Sequence, residues 1–101
     1  MQCSIHDKDF KIFIFGFQNV YLAYMHKNFP GLMKYDLVVL DGKRYIKLTR
    51  NGSVVAFIDK TNGDVLKAAS WKAPAKGARG NIFAPDNSLS RVTPYGMEYN
   101  N

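Results

Sequence analysis

A chain of 101 residues with 47% hydrophobic content can close one modest core and leaves no room for two. Its formal charge of +6 points toward a polyanionic partner, whether nucleic acid, acidic protein or anionic surface, and says nothing about fold. Cys3 is the single cysteine, which excludes an internal disulfide and a thiolate metal cage and suits a reducing, cytosolic setting.

Large apolar residues come first, with Phe10, Phe13, Ile14, Phe17, Tyr21, Tyr24 and Met25 at helical spacing. Asp7 or Asp9 is available as the N-cap and Pro30-Gly31 as the stop, so the spacing predicts a helix ending near Asn28. A strand over residues 10–17 is the competing reading, because β-branched and aromatic residues dominate there and Gly16 disfavours a helix interior. Residues 17–28 are helical under both. Lys11 interrupts the apolar run and two aspartates precede it, so neither a signal peptide nor a membrane span is expected.

After Leu32 the pattern changes to short apolar runs separated by Asp41-Gly42, Asn51-Gly52 and Asn62-Gly63, each a signal for a two-residue hairpin turn. Three such turns predict a four-stranded antiparallel meander over residues 35–40, 43–50, 53–60 and 64–69, with the helix packed on it in an α+β fold. Two-residue loops fix the registers. Tyr35, Leu37, Val39, Ile46, Leu48, Val55, Phe57, Leu66 and Ala68 then share the core face. The other face collects Lys43, Tyr45, Lys47, Thr49, Ile58 and Lys67, with Lys47 opposite Asp36 and Lys67 opposite Ile58.

Residues 65–83 contain Lys67, Lys72, Lys76 and Arg79, the lone Trp71, five alanines and two glycines, and no acid. Beyond Trp71 the small residues and Pro74 suggest a basic loop or one short helix, on which Lys72, Lys76 and Arg79 would share a side. Residues 84–101 are polar, contain Pro85 and Pro94, and show no period. A single domain over residues 1–83 followed by a polar arm or disordered tail over 84–101 is expected.

Lysines interleaved with aromatics suit a polyanion, with phosphates neutralised by the cations and bases stacked on the rings. Trp71 would either stack or close the open end of the sheet, and the usual burial of tryptophan favours closure. Glycine N–H groups near Gly77 and Gly80 offer a phosphate contact, but no Walker-type spacing is present. His6 and His26 stand apart, so no metal site is expected, and no nucleophile elbow or acid/base pair points to an enzyme or a cofactor.

The words GDVLK at residues 63–67 and SWKAPAKGARGNI at residues 70–82 resemble a set of short bacteriophage-encoded proteins. The resemblance covers the last strands and the basic segment. It implies a viral origin and expression in the cytoplasm of a bacterial host, adds weight to Trp71, Lys72, Lys76 and Arg79, and brings no catalytic residues.

The expectation is therefore a phage accessory protein that binds nucleic acid, single-stranded or without sequence preference. Its contacts would be Lys43, Tyr45, Lys47, Lys67, Trp71, Lys72, Lys76 and Arg79. A host-takeover or anti-defence protein gripping an acidic host protein or a small nucleotide is the alternative. A structural or assembly component is the weaker one, an oligomer built through sheet edges or the aromatic N-terminal half, with Ile12 and Phe15 lying off the helix stripe.

Overall fold

The computed structural model describes residues 2–94 and 96–97. One helix, α1 (Lys8–Asn28), covers a five-stranded antiparallel sheet of β1 (Leu37–Asp41), β2 (Tyr45–Arg50), β3 (Ser53–Asp59), β4 (Asp64–Ala68) and β5 (Pro74–Asn81) in that order. The apolar stripe explains the helix: Phe10, Phe13, Phe17 and Tyr21 are its buried residues, one side of a 3.6-residue period. Packing on the sheet thus decides residues 10–17 for helix, against their local strand preference. Phe13 is completely buried, and truncating it to alanine is expected to cost about 3–5 kcal/mol.

Asp7 is the N-cap, although its carboxylate accepts from the Ser4 N–H at 2.8 Å and not from the helix. The N-terminal segment is tied to the sheet by the Cys3 N–H, which donates to the Lys60 carbonyl at 2.7 Å. Cys3 is buried in the core with Ile46, Leu48, Ala56, Ile58, Val65 and Ile82.

Each hairpin reverses in its own way. Asn51 and Gly52 both have positive φ, 53° and 76°, and join β2 to β3 at the expected two-residue turn. The first reversal falls at Lys43-Arg44 instead of Asp41-Gly42, since the Gly42 N–H donates to the Tyr45 carbonyl at 3.0 Å. Lys47 consequently pairs with Leu40 and not with Asp36. At the third, residues 60–63 loop out under the Asp59 carbonyl, which accepts from Gly63 N–H at 2.7 Å, and Ile58 pairs with Val65 and not with Lys67. These are even slides, so on their own they keep every side chain on its expected face.

A β-bulge does not. Thr49 pairs with Val54, but Leu48 pairs with Ala56, so Val55 is an extra residue and the remainder of β3 changes faces. Ala56 and Ile58 point to the helix, while Phe57, paired with Lys47, points away from it. The change propagates to β4, where Val65 joins the core beside Ile58 and Leu66 sits opposite Phe57 on the outer face. Expectations for Phe57, Ile58, Leu66 and Lys67 are thereby corrected, because the pleat puts Lys67 on the side of Val65.

The basic segment is also different from the expected loop or short helix. Residues 74–81 form β5, paired with β4 through register shifts, with Gly77 at φ 90°. Alanine and glycine side chains set no helical stripe there, and the unpaired edge of β4 captures the backbone. Residues expected as a polar tail fold back onto α1 as far as described. A 3-10 turn (Leu89–Arg91) and β6 (Val92–Thr93), which pairs with β7 (Gly96–Met97), bring Leu89 and Val92 against the core. Gly16 permits this, since a Cβ there would lie 2.6 Å from Leu89 Cδ2. The Asn87 amide donates to Asp9 at 2.9 Å. Tyr95 and residues 98–101 of that expected tail lie outside the described residues.

Candidate nucleic-acid interface

α1 covers one face of the sheet and leaves the other without a helix. Along β2 the alternation turns Ile46 and Leu48 inward and Tyr45 and Lys47 outward. Leu40 stands beside Lys47 on β1 and Phe57 on β3, so an apolar floor surrounds one lysine. The Phe57 ring is buried and meets Tyr45 edge-on, with centroids 5.9 Å apart.

The β4–β5 connection bends over this floor. Ser70 organises the tip: its hydroxyl accepts from the Lys72 and Ala73 N–H groups at 3.3 and 3.2 Å. Trp71 is half exposed at that tip and does not plug the core, contrary to the favoured expectation. The Lys47 ammonium lies 4.4 Å from the Trp71 ring centroid and 5.8 Å from that of Phe57. Lys72, the next residue, lines a concavity of about 310 Å³ together with Leu40, Lys43, Arg44, Tyr45, Lys47 and Phe57.

Charge within this concavity is unevenly compensated. Asp41 is held by Lys60 at 2.7 Å, and Arg44 lies 3.5 Å from Asp59 while also covering the Tyr45 ring at 5.3 Å. Lys43, Lys47 and Lys72 form no ion pair among the described residues. Three ammonium groups over an aromatic floor attract an anion with a flat or apolar part.

Of the eight residues expected from the sequence, Lys43, Tyr45, Lys47 and Lys72 come together here, with Trp71 joined through Lys47. Lys67 faces the other side. Lys76 stands exposed on β5 outside the concavity. Arg79 lines a separate concavity of about 500 Å³ with Arg91, Asp64 and Asp86. Sequence reasoning missed Arg44, Leu40 and Phe57. Arg44 was legible as a turn residue next to Lys43, but the orientation of Phe57 depends on the bulge.

Arg50 lies with Lys43 and Lys47 in the stretch between Asp41 and Asp59, which holds no acidic residue, yet is buried under α1. Its guanidinium donates to Gln18 at 2.8 Å and lies 3.9 Å from the Tyr21 ring centroid. Burial lowers its pKa from the ordinary guanidinium value, with Tyr21 acting the other way. Among the described residues, no group of three histidine, cysteine, aspartate or glutamate side chains gathers, and no helix is long and apolar enough to cross a membrane.

Neither the search of curated proteins nor that of solved structures returned a match. Residues 6–93 match the model of a family of unknown function, DUF7717, a span that runs from the start of α1 through β6 and so includes the folded-back C-terminal segment. Since that span is most of the chain, the protein belongs to the family DUF7717.

Proposed function

We propose that the protein binds single-stranded nucleic acid through the uncovered face of its sheet. The observation that carries this reading is that Lys43, Tyr45, Lys47 and Lys72, from two separate stretches of chain, line one concavity, with the Trp71 ring centroid 4.4 Å from the Lys47 ammonium. Lysines would contact phosphates while the half-exposed Trp71 ring stacks on a base. Base edges would find few fixed donors and acceptors among these residues, which argues for binding without sequence preference. The reading is of a binding protein, with no chemical step assigned. The likeness of residues 63–82 to phage-encoded proteins supports a setting in the cytoplasm of an infected bacterium.

Fluorescence anisotropy with a labelled thymidine oligomer tests it. If three lysines meet phosphates, log K should fall against log salt with a slope of about −2. A flat response, or no binding at low salt, would discard the proposal. The alternative of an acidic protein partner predicts instead a co-purifying protein that survives nuclease treatment.

A further inference from the structure

We infer that the concavity takes one phosphorylated nucleotide unit, free or at the end of a strand, and not a length of polynucleotide. This rests on the nucleic-acid reading above and narrows it. A groove that tracks a strand needs cations continued along the sheet, and the fold interrupts that continuation toward β4 and β5. The bulge sends Lys67 to the helix side through the pairing of Ile58 with Val65. Arg79 opens onto the other concavity, where Asp64 and Asp86 offset it and Arg91.

What remains is compact. Its volume of about 310 Å³ lies at the small end of ligand pockets. Phe57 supplies a buried apolar floor, Leu40 and Tyr45 flank it, and Lys43, Lys47 and Lys72 stand around it with no ion pair among the described residues, the lining Asp41 being held by Lys60. An aromatic base fits the floor and a phosphate fits the three ammonium groups. Lys47 now rests against the Trp71 ring at 4.4 Å, so a bound phosphate that draws this ammonium away changes the environment of the only tryptophan.

Calorimetric titration at low salt, with Trp71 emission as a second readout, tests the footprint. The probes are thymidine, thymidine 5′-monophosphate, a 5′-phosphorylated thymidine dinucleotide and the corresponding dodecamer. Thymidine should not bind, and affinity should reach its plateau at the mononucleotide or the dinucleotide. A plateau at the mononucleotide identifies a free nucleotide as the ligand, and a plateau at the dinucleotide identifies a strand end. Lys72→Ala, at an exposed tip, should weaken mononucleotide and dodecamer alike by about tenfold. Affinity that climbs at every step to the dodecamer, or a Lys72→Ala effect confined to the dodecamer, overturns the inference and leaves the broader reading standing. Failure of the dodecamer itself to bind removes both.

Discussion

Lys47 and Arg50 lie three positions apart on one strand and do opposite things, because alternation sends one to the uncovered face and the other under α1. Lys47 keeps an ammonium near water against two rings, whereas Arg50 has exchanged water for Gln18 and an aromatic cage. Trp71→Ala should therefore weaken oligonucleotide binding by about tenfold, the loss of one stacked base, with little change in the urea midpoint. Unchanged affinity would remove Trp71 from the interface. Arg50→Ala should leave affinity alone and destabilise the fold by about 1–3 kcal/mol, because Gln18 loses its partner and a cavity opens beside Tyr21.

Two titrating side chains make predictions of their own. Burial, reinforced by Asp7, pushes the Cys3 thiol up to about 11. At a pH of about 8 only about a thousandth is thiolate, so an aromatic disulfide reagent should modify the native protein far more slowly than the urea-unfolded chain. Equal rates would contradict its burial. For Asp59, desolvation favours protonation, but hydrogen bonds from Thr61 and the charge of Arg44 outweigh it and hold the carboxyl below its ordinary value. A depressed folded value means that the stabilisation is complete above the unfolded pKa of about 3.9 and is lost as pH falls through the folded one. The stability gap between the native protein and Asp59→Asn should accordingly shrink in acid below about pH 4, by urea titration at several pH values. A gap that widens there would reverse the assigned sign.

At the scale of elements, two close approaches determine how the pieces meet. α1 accepts the C-terminal segment only because Gly16 leaves room for Leu89. Gly16→Ala gains about 1 kcal/mol of helix preference but forces Leu89 out of its seat, at an overpacking cost of about 1–3 kcal/mol. The single substitution should destabilise, and in a Leu89→Ala background the same change should stabilise. A double-mutant cycle measured by urea unfolding gives the answer, and one sign in both backgrounds would refute the packing argument. Much of this level was readable: the aromatic stripe predicted α1, and Asn51-Gly52 predicted its turn. β5 was not, since its short side chains carry no period and its strand form depends on the neighbouring edge of β4.

Across the whole molecule, α1 covers one face of the sheet, and Lys43, Lys47 and Lys72 gather on the other. Three of the expected cations gather at the uncovered concavity, and the remaining ones are separated by fold geometry rather than by composition. The α+β architecture, the helix over residues 17–28 and the antiparallel run were legible in the sequence, because periodicity and turn chemistry are local properties, whereas residues 10–17 needed the sheet to choose helix over strand. Alternation likewise placed Tyr45 and Lys47 on one face of a single strand, with Lys43 in the adjoining turn. That Phe57 joins them and Lys67 does not depends on long-range pairing, since a single extra residue at Val55 reverses the faces of the rest of β3 and of β4. Likewise, the bend that carries Trp71 and Lys72 over the sheet, and the packing of Leu89 on Gly16, arise from contacts between segments distant in the chain.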